Sequence, residues 1–226
     1  MGAGAVMSVG ARSAERERMI AGQIEARGVT DPFVLDAVRS VAREDFVPAA
    51  LARFAYDDGP LPIGASQTIS QPYIVAAMAA AARLSPGDRV LEIGTGSGYG
   101  AAVLSRLADE VFTVERIESL ADAARSRLAA LGYKTVHVLT GDGSLGWREH
   151  APYDAIVVTA GGPCVPQALL NQLALRGRLI MPVGESHYCQ RLVRVVRTDE
   201  HEYEYEDLEG VQFVPLIGAE GWSQGG

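Results

Sequence analysis

The sequence predicts a doubly wound, mostly parallel α/β sheet, with helices ahead of it and extra strands behind. Three observations carry that prediction. From Arg89 onward, short apolar runs alternate with stretches of helical periodicity, the pattern of buried parallel strands joined by covering helices. The first run, "RVLEI", leads straight into "GTGSGYG", four glycines in seven residues, which suits a backbone that must approach a small ligand closely. The chain has 226 residues, 48% of them hydrophobic, enough for one well-buried domain spanning 1–226.

The elements follow in order. Residues 1–12 are small and uncapped and predict a frayed tail. "ERERMIAGQIEARG" has apolar residues at helical spacing and ends in Gly28, and "DPFVLDAVRSV" opens with Asp31 as N-cap and Pro32 at the first helical position. A Pro/Gly-rich loop, "DDGPLPIGASQTISQP", then enters the helical "YIVAAMAAAARL", so residues 13–84 form an N-terminal region of helices and loop. Within 85–226 the predicted strands are "RVLEI", "EVFTV", "TVHVL", "YDAIVVTA" and "GRLIMPV". Between them lie helices at "YGAAVLSRLA", "IESLADAARSRLAALG" and "PQALLNQLA". "RLVRVVRT", "EYEYEDL" and "VQFVPLI" predict further edge strands; the Glu/Tyr alternation marks a half-exposed strand rather than an acidic site.

Composition excludes several classes of function. No run of about 18 apolar residues predicts a membrane span, and the opening residues lack the apolar core of a secretory signal, so a cytoplasmic protein without a membrane partner is expected. A formal charge of -8, with scattered basic residues, argues against a nucleic-acid partner. Cys164 and Cys189 are too few for a disulfide framework and have no histidine at metal-ligand spacing; they are expected as small buried core residues, with no metal site. The chain is expected to act as a monomer.

The glycine loop narrows the ligand. A nucleoside triphosphate would need a Lys that "GTGSGYG" does not supply. A dinucleotide fits better, since Gly96, Gly98 and Ala101 match G-x-G-x-x-A and Glu115 ends the second strand where a ribose-binding acid belongs. Glu92 shifts the balance. A carboxylate just before the loop suits a ligand with a cationic amino-acid end better than a pyrophosphate. S-adenosylmethionine is such a ligand, with a ribose for Glu115 and an adenine for the turn at Gly141 and Asp142. Three acids at the ends of three successive strands would then face one ligand-binding edge.

These residues, together with "PLPIGASQTISQPYIVAAM", "GDGSLGW", "APYDAIVVTAGGPCVPQALLNQL", "GRLIMPVG" and "FVPL", resemble the protein-L-isoaspartate O-methyltransferase family from about Met19 to Leu216. The resemblance implies a Rossmann-like class I methyltransferase fold with a modified C-terminal strand order. It implies S-adenosylmethionine as methyl donor, leaving S-adenosylhomocysteine, and isoaspartyl residues of damaged proteins and peptides as acceptors. By the same resemblance the cofactor loop falls on Gly94, Thr95, Gly96, Ser97 and Gly98, with Glu92 before it, the ribose acid on Glu115, and the adenine contact on Gly141 and Asp142. The covering segment falls on Thr68, Ile69 and Ser70, with Ser70 as the catalytic residue. Ser66 departs from a usual glycine and Gln212 from a frequent Arg, and Gly161 and Gly162 make their loop unusually glycine-rich.

The implied chemistry matches what the chain lacks. A carboxylate acceptor, with a reference pKa of about 3.9, is already ionised at pH 7 and needs no general base. No catalytic His or Cys is apparent. The product ester would close to a succinimide without further help and hydrolyse partly to normal aspartate. A general aspartate carboxyl methyltransferase and, more remotely, an NAD-dependent oxidoreductase are the alternative readings.

Overall fold

The computed structural model describes residues 9–186 and 189–223. Helix α1 (Val9–Met19) runs on through a π-helical turn at Ile20–Ile24 and a 3-10 turn at Glu25–Arg27, and stops at Gly28, whose φ of 94° ends the spiral. The tail predicted over residues 1–12 is contradicted at its end. Residues 9–12 belong to α1, where Arg12 donates to the Ala52 carbonyl at 2.7 Å, and residues 1–8 lie outside the described residues. Helix α2 (Pro32–Ser40) begins as the sequence indicates, because the Asp31 carboxylate accepts from the N–H groups of Phe33 and Val34.

The Pro/Gly-rich stretch holds more order than a loop. Strands β1 (Leu61–Gly64) and β2 (Gln67–Ile69) pair antiparallel across a turn in which Ala65 and Ser66 both have positive φ, 48° and 57°. Helix α3 (Pro72–Ala82) follows, and Arg178 donates to the carbonyls of Ala82 and Arg83 at its end.

The main sheet then builds in the predicted alternation. Strand β3 (Arg89–Ile93) is followed by α4 (Tyr99–Leu104), β4 (Glu110–Glu115), α5 (Glu118–Ala130), β5 (Val136–Thr140), β6 (Tyr153–Val158), α6 (Gln167–Leu170), β7 (Leu173–Ser186), β8 (Cys189–Arg197) and β9 (Tyr203–Val211). Their order across the sheet is β5-β4-β3-β6-β7-β8-β9, with the first five parallel and the last two antiparallel. The strand order reverses between β3 and β6, so the crevice for a ligand opens at the carboxyl end of β3.

Period-two alternation distributes the core to both faces. Val90, Val111, Ala155, Val157 and Ile180 pack with the N-terminal helices, α3 and α4, whereas Leu91, Phe112, Ile156, Val158 and Leu179 pack with α6 and the turns around Trp147.

Three expectations need correction. The segment "VQFVPLI" is not a strand: β9 ends at Val211 and the chain continues through isolated bridges, Gly161 with Pro215 and Ile217 with Trp222, because Pro215 has no N–H for a ladder. "PQALLNQLA" gives a single helical turn, since Leu173 already pairs with Tyr153 and draws the chain into β7. Cys164 and Cys189 are both exposed, one in the loop after β6 and the other at the outer start of β8.

Candidate active site

The loop after β3 is shaped by three left-handed glycines, with φ of 97° at Gly94, 53° at Gly96 and 89° at Gly98. Space matters as well as φ at Gly96, where a Cβ would lie 3.2 Å from Ile63 of β1. The β1–β2 hairpin thus lies against the glycine loop, which carries Thr68 and Ser70 over the crevice.

Glu115, at the end of β4, is buried, and its carboxylate accepts from Gly96 N–H at 2.9 Å and from Ile117 N–H at 3.0 Å. Asp142, after β5, caps a short turn by accepting from the N–H and hydroxyl of Ser144, and its second oxygen accepts from Ala219 N–H at 2.7 Å. The C-terminal segment is thereby tied against the crevice. Trp222 adds a bond from its indole N–H to the Gly161 carbonyl at 3.0 Å.

Three hollows line up along these elements. The central one, with ≈ 550 Å³ of empty space, lies between Gly94, Gly96 and Glu115 on one side and Val214 to Ile217 on the other. A second, beside Ser70 and Gln212, shares Thr68, Thr159, Val214 and Pro215 with it; a third, beside Gly141 and Asp142, shares Arg116 and Ile217. They form one groove. Its middle and far end offer a carboxylate and backbone groups suited to hydroxyl and amine donors, and twelve uncharged residues line the end beside Ser70.

The comparisons with known proteins coincide with this geometry. The family model of protein-L-isoaspartate(D-aspartate) O-methyltransferase matches residues 14–221. The chain belongs to this methyltransferase family. It is 61% identical over 207 residues to protein-L-isoaspartate O-methyltransferase 2 of Pelobacter propionicus, covering 92% of each chain. It is also 61% identical over 211 residues to protein-L-isoaspartate O-methyltransferase 1 of Rhodopseudomonas palustris, covering 93% of this chain and 86% of that one. Among solved structures, a protein-L-isoaspartate O-methyltransferase superposes with a TM-score of 0.80 at 29% identity, over 93% of this chain and 67% of the other. Methyltransferases of this family use S-adenosylmethionine; in the central hollow the lining offers the Glu115 carboxylate and the side-chain-free backbone of Gly94 and Gly96.

The structure sorts the methyltransferase's sequence-derived site residues. Thr68, Ser70, Gly94, Gly96, Glu115, Gly141 and Asp142 all line the groove. Glu92 does not, and the expectation of three acids on one open edge is corrected. Its side chain is sealed beneath the loop, where Thr113 Oγ1 bridges Glu92 and Thr95 at 2.6 Å each. Burial pushes the Glu92 carboxyl up to about 8; the Thr113 hydrogen bond opposes the rise and the nearby Glu115 adds to it. Thr95 and Ser97 are also buried behind the loop, which leaves only their backbone for a ligand, and Gly98 caps α4. Ile69 packs in the core because it falls on the inner face of β2. Sequence reasoning missed Thr159, which lines both the central hollow and the hollow beside Ser70 and whose hydroxyl donates toward the carbonyls of Ile93 and Gly94.

Proposed function

We propose that the methyltransferase holds S-adenosylmethionine in the central and far hollows of the groove and an L-isoaspartyl peptide in the hollow beside Ser70. The observation that carries this reading is the continuity of the three hollows, the hollow beside Ser70 meeting the central one through Thr68, Thr159 and Pro215 and the central one meeting the far one through Arg116 and Ile217. When bound, S-adenosylmethionine supplies an electrophilic methyl group on a sulfonium. Glu115 accepts from the ribose hydroxyls, Gly94 and Gly96 present bare backbone to the amino-acid end, and Gly141 with Asp142 bounds the adenine.

Toward the acceptor, the chain works by placement. Ser70 and Thr68 line that hollow and offer hydroxyls to position the acceptor carboxylate, and among the described residues no Lys or Arg lines it to hold the carboxylate in an unreactive pose. The acceptor is already ionised, so no proton has to be moved by the protein. The hairpin and the segment from Val214 to Leu216 flank the space between donor and acceptor, and a less polar setting there favours a transfer that turns an anion and a cation into two neutral products. Selection of isoaspartate follows from an extended backbone held along residues 210–215 beside Ser70, which reads the extra methylene and not the side chains.

The two free, exposed cysteines suit a reducing cytoplasm. No helix among the described residues is long and apolar enough to cross a membrane. The test is methyl transfer to two peptides that differ only in Asp against isoAsp. Transfer to the isoAsp peptide alone supports the assignment, and equal rates point to a general aspartate methyltransferase.

A further inference from the structure

We propose that Gln190 is a positioning residue for the acceptor, acting as a side-chain substitute for a strand rung that fixes the backbone of Phe213. Gln190 is 4% exposed on β8, and its amide engages both main-chain groups of one residue: Oε1 accepts from Phe213 N–H at 2.8 Å and Nε2 donates to the Phe213 carbonyl at 3.3 Å. Such a pairing is what a neighbouring strand would provide. Among the described residues no strand does so, because β9 has ended at Val211 and the bridge to Gly161 begins only at Pro215.

The residues that flank Phe213 face the groove. Gln212 lines the acceptor hollow, and Val214 lines both the acceptor and the central hollow. A shift of the Phe213 backbone therefore moves the acceptor wall first. The cofactor side has independent anchors: Gly161 N–H donates to the Val214 carbonyl and Leu216 N–H to the Gly161 carbonyl, both at 2.8 Å, while Asp142 holds Ala219.

The unusual glycine at 161 follows from the same arrangement. A Cβ there would lie 2.6 Å from Cδ of Gln190, so the glycine leaves room for the amide. The main-chain bonds of Gly161 do not involve Gln190.

This inference rests on the assignment of the hollow beside Ser70 to the acceptor. The experiment compares wild type with Gln190→Leu and the isosteric Gln190→Glu, measuring KM and kcat for an isoaspartyl peptide, S-adenosylhomocysteine affinity by calorimetry, and melting temperature. Gln190→Leu loses both bonds and raises peptide KM by about tenfold or more, the ratio for one buried hydrogen bond, while S-adenosylhomocysteine affinity stays within about threefold. Gln190→Glu accepts from Phe213 N–H but repels the carbonyl until it takes a proton, so its KM falls toward wild type as pH is lowered from 8 to 6, values at which wild type is assayed in parallel. A pH-independent, wild-type KM in Gln190→Glu overturns the proposal, as does a loss of cofactor affinity equal to the loss in KM. Ser70→Ala with wild-type peptide KM and kcat overturns the assignment of that hollow to the acceptor itself, whatever the Gln190 variants do.

Discussion

Gly96 N–H donates to the Glu115 carboxylate at 2.9 Å, so the acid that ends β4 is tied to the glycine loop before any ligand arrives. Its second oxygen is held by Ile117 N–H at 3.0 Å, which fixes the plane of the carboxylate at the wall of the central hollow. Each oxygen keeps a further lone pair for a ribose hydroxyl. Glu115→Ala is expected to weaken S-adenosylmethionine binding by about 1.5 to 3 kcal/mol, the usual range for hydrogen bonds to a charged group. Calorimetric affinity equal to wild type would take Glu115 out of the site.

Ser70 stands just before α3, where a serine is often a helix cap. Here the cap position is Gln71, which makes no side-chain capping bond, and Ser70 borders the acceptor hollow instead. Ser70→Ala is expected to lower kcat by at least about tenfold, with melting temperature and cofactor affinity nearly unchanged, because one positioning bond to the acceptor is lost and no cap is. A destabilised mutant with normal turnover, the behaviour of a lost cap, would remove Ser70 from the chemistry.

How far the sequence could be read depended on the range of the interactions involved. Asp31 and Pro32 opened α2 as expected because a cap is settled within four residues, and the strand-helix alternation from Arg89 reproduced the sheet because period-two burial is local to each strand. The segment from Gln212 to Ile217 had the pattern of a strand, yet its partners are Gly161, Gln190 and Trp222, and which partner an apolar run finds is a property of the fold. Glu92 lies on the strand the sequence predicts, but its side chain is in the core beneath the loop and not in the groove. A carboxylate before a glycine turn can face ligand or core, and the Thr113 hydroxyl that claims it comes from a different strand.

The hairpin turn stores backbone strain. Ala65 and Ser66 both sit in the left-handed region, where a side chain costs roughly 1 to 2 kcal/mol per residue and glycine costs little. Glycine loses more freedom on folding, roughly 0.5 to 1 kcal/mol, so the net gain from Ser66→Gly lies between about 0 and 1.5 kcal/mol and centres on about 0.7 kcal/mol. Calorimetry should show a melting temperature higher by about 1 to 4 °C, and Ser66→Val should move it the other way. A lower melting temperature for Ser66→Gly would show that the turn is not strained.

Glu92 gives the protein a specific pH dependence. Its carboxyl is raised from an ordinary value near 4.5 to about 8 by burial, so between those values the folded state keeps a proton that the unfolded chain has released. The unfolded state binds fewer protons, and stability falls as pH rises across that window. The contribution from this group is complete below 4.5, is lost progressively toward pH 8, and changes no further above it. Glu92→Gln keeps the shape and an acceptor for Thr113 while removing the titration. Its stability relative to wild type, from urea unfolding at pH 5, 6, 7 and 8, is therefore expected to improve steadily with pH. Parallel curves for the two proteins would mean that Glu92 is ionised in the folded state throughout, held by its hydrogen bonds against the cost of burial.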